Sequence, residues 1–410
     1  MKKHLVLALI FIGLSYTNAC GGISSSAGGT CGGTSSNTEG SCCGGSMSMS
    51  GCSMGGHDMG SMMMMGDSYW RDLETPRFRA TGKVRTYYIA ADEVLWDYAP
   101  EHNINIITGK PYAYNEAEFV HRKEGRIGSK YLKCRYREFT SQTFKYVKAR
   151  TQHEKHLGFM GPTIRGEVGD TIKIVFLNRC RFPTNIYTSG VFDDNGNHPV
   201  PTGETTTYIW EVSERSGPSA HDKSSVFWKY SSSVSLASDF YAGLIGNIAI
   251  TKRGWAKSDG SPKDVDREIF WMFSVSNENQ SPFIDANIKK YVKKPYNLEA
   301  LKKDSGFSGA NYKYGINGYI YGNGPMVTMR VGERVRWYLM SQGGGRDFHT
   351  PHWHGNVVLL HGMRMDIASL LPSETIIADM VPDDPGIWLH HCHVNDHLED
   401  GMVTRFAVVE

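Results

Sequence analysis

The chain has 410 residues and a formal net charge of +2, enough length for two or three domains of ordinary size. A nearly balanced charge without a basic cluster argues against nucleic acid or an anionic membrane as the partner. Beyond the first residues, no stretch approaches the roughly 18 apolar residues that a membrane-spanning helix needs.

The opening MKKHLVLALIFIGLSYTNAC has a basic start, an apolar run and a small residue at Ala19. It predicts a secretory leader over residues 1–19, removed before Cys20, and hence an extracellular protein. A membrane span fits less well because the run is short, and TNAC is a poor match for a lipid-anchored Cys20. Residues 20–81 form a low-complexity tail, Gly/Ser-rich to about residue 66, with Cys20, Cys31, Cys42, Cys43, Cys52, His57 and a run of Met. With few branched apolar residues it cannot build a core, so disorder is expected. Its thioethers and thiols suit Cu(I), although a plain flexible extension explains the same composition. Of the eight cysteines, Cys134 and Cys180 lie in the body, and secretion permits them to pair.

From residue 82 the texture changes to short β-rich runs punctuated by Gly, Pro, Asn and Asp. VRTYYIAADEVLW, TIKIVFLNR, TTTYIWEV and GNIAITK occur in the first half, and EIFWMFSV, MVTMRV, RVRWYLM and VTRFAVV in the second. Helical periodicity is scarce, so an all-β protein is predicted. IRGEVGDTIKIVFLN parallels MRVGERVRWYLM, and GLIGNIAITK parallels GMVTRFAVVE, each pair once in each half. These repeats predict two tandem Greek-key β-sandwiches of cupredoxin type, over residues 82–253 and 266–410, joined by the polar segment from Arg253 to Asp266.

Chemistry concentrates in the last sixty or so residues, in HTPHWHG at 349–355 and HHCHVNDHLEDGM at 390–402. Two His, one Cys and a weak Met are the ligand set of a blue copper. His349, Cys392, His397 and Met402 supply it, with Cys, His and Met at steps of five residues. His391 and His393 flank Cys392 on a strand, so their side chains leave on the opposite face. His352 and His354 alternate in the same way. These four make half of a trinuclear copper cluster, and another domain must supply the rest. Asp347, Asn395 and Asp396 are candidates to orient the imidazoles. His153, His156, His198 and His221 read as solvated loop residues, His361 and Met363 as pocket lining. Asn279-Gln280-Ser281 is a glycosylation acceptor weakened by Pro282.

YYIAADEVLWDYAP, IGSKYLKCRYREFTSQTFK, HLGFMGP, INGYIYGN, HTPHWHG and GIWLHHCHVNDH resemble stretches of the last two cupredoxin domains of the multicopper ferroxidases, the ceruloplasmin and hephaestin family. The resemblance covers residues 82–410. It implies a blue site at His349, Cys392, His397 and Met402, a type 2 ligand at His352, and type 3 ligands at His354, His391 and His393. The departures are specific. Where the family's cluster-completing domain carries two His-x-His pairs, this chain has Tyr187-Thr188-Ser189 and Ser231-Ser232-Ser233. Tyr314 stands where an iron-binding histidine is expected, although Asp396 is kept. Ser225 and Thr251 replace a disulfide usual in the family.

The expected function is a secreted multicopper oxidase with Cys392, His391 and His393 carrying the electron path. The resemblance implies Fe2+ or an organic reductant as donor and O2 as acceptor, with a homo-oligomer or partner chain completing the cluster. The alternatives are a single-blue-copper electron-transfer or copper-carrier protein without oxygen chemistry, and an extracellular-matrix protein on a cupredoxin scaffold.

Overall fold

Strands, some with one covered face and some with both faces covered, form the framework of the described residues. The computed structural model describes residues 78–193, 197–293, 295–343 and 347–410. The expected leader and the tail cysteines, with His57, lie outside the described residues. Among the described residues no helix is long and apolar enough to cross a membrane.

Two β-sandwiches follow one another. In the first, a five-stranded sheet runs in the order Lys130–Phe139, Val84–Asp97, Thr171–Asn178, Thr205–Glu211, Phe192–Asp193. It packs on a three-stranded sheet of Ile164–Glu167, Ile245–Thr251 and Ser225–Ser231. In the second, a six-stranded sheet runs Tyr312–Ile316, Arg267–Asn277, Val335–Gln342, Thr375–Met380, Val358–Leu360, Met363–Met365. It packs on a four-stranded sheet of Val327–Arg330, Val403–Val409, Gly386–Cys392 and Pro351–Trp353. The two are copies of one topology. Val84–Asp97 pairs parallel with Thr171–Asn178 as Arg267–Asn277 does with Val335–Gln342. Ile164–Glu167 and Val327–Arg330 likewise run parallel to the last strand of their own sandwich. The repeated sequence segments are these corresponding strands.

Period-2 burial is clean in Thr171–Asn178, which alternates half-buried and buried residues along its whole length, as a strand with one covered face must. Arg267–Asn277 has no such alternation because both of its faces are covered. Ile269, Trp271 and Phe273 enter the core of their own sandwich. Phe270 and Met272 enter an aromatic layer shared with the first sandwich, which also contains Trp96, Tyr98, Tyr131, Phe159, Phe227 and Tyr338. Phe270 and Tyr338 stack there with ring centroids 4.4 Å apart.

Buried charges lock this interface. Lys133, on the first sandwich, pairs with Glu278 on the second, and its ammonium also donates to Tyr98 Oη at 2.9 Å and to the Tyr241 carbonyl at 2.7 Å. Arg165 meets Glu268 at 2.7 Å. Removing one member of such a pair strands a charge out of water at a cost of about 3–5 kcal/mol, so the two sandwiches hold one registry. Ser225 and Thr251 face each other as strand partners. Ser225 Oγ lies 2.7 Å from Tyr338 Oη and accepts from Arg336 at 2.9 Å, so a bond between sandwiches occupies the place of the family's disulfide. Cys134 and Cys180 are joined, with Cα atoms 6.1 Å apart.

Three loop readings change. His156 is buried, not solvated, and its Nε2 accepts from the Phe270 amide at 3.1 Å. His361 and Met363 sit exposed at the tip of the hairpin Val358–Leu360/Met363–Met365. The Asn279 side chain bonds to Asn277, Asn311 and the Ser308 carbonyl, which leaves a glycan acceptor little freedom. Several short helices also appear, such as Leu236–Ala242 and Asn395–Glu399.

Candidate metal centre

Register decides which face each histidine takes. Pro351–Trp353 pairs antiparallel with Gly386–Cys392, placing Pro351 opposite Cys392, His352 opposite His391 and Trp353 opposite His390. Side chains alternate across a strand, so Cys392 and His390 point into the sandwich while His391 points out with His352. The same strand therefore serves two sites on its two faces.

The inner site gathers His349, Cys392 and His397, all buried. Their Nδ1 atoms lie 3.1 Å apart, and the Cys392 sulfur is 3.8 Å from His349 Nδ1 and 3.6 Å from His397 Nδ1. Met402 is fully buried in the same cluster as Cys392. Backbone bonds set this arrangement. The Cys392 amide donates to the Met402 carbonyl at 3.1 Å, and the Met402 amide to the His397 carbonyl at 2.8 Å. Gly401 makes the tight return. Its φ is +112°, and a Cβ there would stand 3.0 Å from Ile320, a conformation glycine adopts without strain. His349 is held by a two-way backbone exchange with Leu370 at 2.9 Å.

A thiol and two imidazoles buried together are a poor fit to each other. Burial pushes the His349 imidazole down to about 3, helped by His397. Burial likewise lowers His397, opposed by Asp347 and Asp396, and raises the Cys392 thiol, opposed by the amides of Thr350 and Val394. The Thr350 amide donates to the sulfur at 3.4 Å. Burial thus favours neutral imidazoles and a protonated thiol, and the amides of Thr350 and Val394 offset only part of the cost of forming the thiolate. The grouped donors of His349, Cys392 and His397 fit a single copper ion.

The outer site gathers His352, His354 and His391. His391 Nε2 is 3.3 Å from His352 Nδ1 and 3.0 Å from His354 Nε2. His393, expected with them, is exposed at the rim, its ring centroid 5.2 Å from that of His352 and 5.3 Å from that of His391. Gly355 lies in the bend after Pro351–Trp353 at φ +67°, and a Cβ there would sit 2.3 Å from the Trp388 indole, which covers the turn. In the first sandwich, Tyr187 and Ser231 form the matching bridge, and no imidazole stands at residues 187–189 or 231–233.

Beside His397 opens a cleft of about 420 Å³, lined by Tyr241 and Ala237 from the first sandwich and by Tyr312, Tyr314, Asp347 and Asp396 from the second. The Tyr314 ring centroid lies 5.5 Å from that of His397. Burial together with Asp400, Asp347 and Asp396 holds the Tyr314 phenol up at about 12, so it stays a neutral donor.

Several contributors carry no ligand signature in the sequence. Thr350 feeds both its amide and its hydroxyl into the inner site, the latter also accepting from the His393 amide at 3.0 Å. Asp366 stands 3.6 Å from His352 Nε2, and Tyr241 reaches over from the other sandwich. Of the expected orienting residues, Asp347 and Asp396 line the cleft, and Asn395 is exposed at the start of its helix. His390 is buried against Trp271, Trp337 and Trp353, with both ring nitrogens lacking a hydrogen-bond partner.

Residues 292–410 match the family model for multicopper oxidases. The chain is 39% identical to mouse hephaestin over 79% of its own length and 29% of the relative's. It is 38% identical to the human ferroxidase HEPHL1 over 82% of its length and 30% of the relative's. It therefore spans about three-tenths of the relatives it matches. Among solved structures it is similar in fold to a blue copper oxidase from Nitrosomonas europaea, at a TM-score of 0.50 and 14% identity, over 80% of this chain and 86% of the other.

Proposed function

The chain carries a multicopper oxidase domain, and from that premise we propose a copper-dependent oxidoreductase that takes electrons from a small reductant at His349, Cys392, His397 and Met402. The observation that carries this reading is the convergence of two Nδ1 atoms and one sulfur, all within 3.8 Å of one another, at the foot of an open cleft. Copper bound by this set would alternate between its two oxidation states and so accept one electron at a time.

The protein's own groups prepare that exchange. The rigid strand ends and backbone bonds of residues 392–402 keep the ligands from rearranging, which holds down the cost of a change in charge. The His397 ring borders the cleft, giving a reductant a short approach. Asp347 and Asp396 give that approach a negative field, which favours a cation. Fe2+ is the donor proposed, in keeping with the name of the relative HEPHL1, and organic amines share the required charge. Cys392 joins the two faces. Its carbonyl accepts from His391 Nδ1 at 2.8 Å, so the sulfur and the outer imidazoles are one residue of backbone apart. Dioxygen would serve as final acceptor where another subunit or a partner chain adds the missing imidazoles.

The test is the purified protein loaded with copper, with metal content, visible absorption and Fe2+-dependent oxygen uptake measured together. Blue absorption with donor oxidation supports the reading, and colourless loaded protein ends it. Asp396→Asn should raise KM for Fe2+ severalfold with the blue band intact. A second reading, electron transfer without oxygen reduction, is favoured by the serines and tyrosine at 187–189 and 231–233. It predicts a blue protein that exchanges electrons with a soluble carrier and consumes no oxygen.

A further inference from the structure

Three imidazoles on the solvent side of the second sandwich turn towards one point. His391 Nδ1 donates to the Cys392 carbonyl at 2.8 Å, so the neutral ring keeps its hydrogen there and presents a bare Nε2. The Asp366 carboxylate stands 3.6 Å from His352 Nε2, the ring nitrogen that does not face His391. His391 Nε2 and His352 Nδ1 face each other at 3.3 Å, with His354 Nε2 3.0 Å from His391 Nε2. Three ring nitrogens this close to one another can turn their lone pairs to a single cation. The edge of a tetrahedral site with metal–nitrogen bonds of roughly 2.0–2.1 Å is about 3.3 Å, close to the spacings found here.

A cluster of several ions would need imidazoles from the other side as well. Within this chain the matching positions are already committed to hydrogen bonds. Ser232 Oγ donates to Asp239 at 2.6 Å, and the Ser233 amide donates to Asn185 at 2.9 Å. The Tyr187 amide donates to the Ser231 carbonyl at 2.9 Å.

We propose that the chain by itself binds one divalent ion, Cu2+ or Zn2+, at His352, His354 and His391, with a fourth position open to water or a small anion, and that it does not assemble a multi-ion cluster there. Imidazole ligands suit both ions, and an open fourth position is the mark of a reactive rather than a purely structural site. The proposal is independent of the blue site, because the two use different faces of one strand.

The experiment loads the full chain with excess Cu2+, removes unbound metal, and reads metal content, visible absorption and electron paramagnetic resonance. Two ions per chain are expected, one blue and one non-blue, magnetically isolated and coupled to nitrogen. His354→Ala and the milder His354→Gln should each reduce the count from two to one with the blue band kept. Cys392→Ser should remove the blue band and keep the second signal. Four ions per chain, or a coupled pair without a resonance signal, overturn the proposal. So does a count that both His354 variants leave unchanged, or one blue ion alone, a result under which the blue-site reading survives. A non-blue ion without a blue one has the opposite meaning, ending the blue-site reading and leaving this one standing.

Discussion

Replacing Cys392 by Ser separates its role as a ligand from its role as packing. The side chain is fully buried, and the Thr350 amide at 3.4 Å points at the sulfur. A hydroxyl is smaller, accepts from the same amide, and leaves no cavity of the kind that costs 2–5 kcal/mol in a Leu→Ala change. In metal-free protein the loss should be about 1 kcal/mol, the size of one re-fitted hydrogen bond. Copper changes the comparison. At a free concentration a hundredfold above Kd, a bound ion stabilises the native state by about 2.7 kcal/mol, and the variant forfeits that share at the inner site. The gap between wild type and Cys392→Ser should therefore widen from about 1 kcal/mol without copper to about 4 kcal/mol with it. Urea unfolding with and without copper, read beside the blue band, measures both. A gap that copper does not widen, or a variant that stays blue, would refute the assignment of this sulfur as a ligand.

Gly401→Ala forces a side chain into left-handed backbone beside Ile320, so unfolding free energy should fall by about 1–3 kcal/mol. The blue band should shift as Met402 is displaced, and an unchanged melting curve and spectrum would contradict the account of this turn. His156 titrates in the opposite sense to a salt-bridged base. Burial holds it down at about 4, from an ordinary value of 6.5, so its contribution to stability is present above pH 6.5 and is lost as pH falls from there towards 4. The full loss is about 3 kcal/mol, and His156→Gln should flatten the dependence by up to one proton in urea titrations between pH 7.5 and 4. Reducing the Cys134–Cys180 bond, which closes a loop with a sequence separation of 46, should cost about 4 kcal/mol on the loop-entropy account. Cys180→Ala should reproduce the lower melting temperature, and a Tm unmoved by either change would contradict it.

Part of the site was legible because its ligands are local in sequence. Cys392, His397 and Met402 lie within one strand end, helix and return, and the opposite faces of His391 and Cys392 follow from strand geometry alone. His156 misled because its polar neighbours suggest a loop, while its burial comes from Phe270, 114 residues away. The short helices were missed because runs such as Leu236–Ala242, with 7 residues, and Asn395–Glu399, with 5, span too few turns for a 3.6-residue period to emerge. Asp366 carries no signal at all, since its link to His352 is made only by the fold.

The amino-acid sequence alone determined the β class, the duplicated strand pattern and the short-range spacing of the candidate residues Cys392, His397 and Met402, because period, turns and spacing are properties of neighbouring residues. Tertiary structure decided what distance in sequence conceals. It brought His349 to Cys392 and left His393 at the rim. It sealed the sandwich interface around Lys133 and Glu278, and it set Tyr241 of one sandwich over the His397 cleft of the other. Each of these rests on long-range packing, where the energy lies in burial and charge pairing between segments that no local pattern connects.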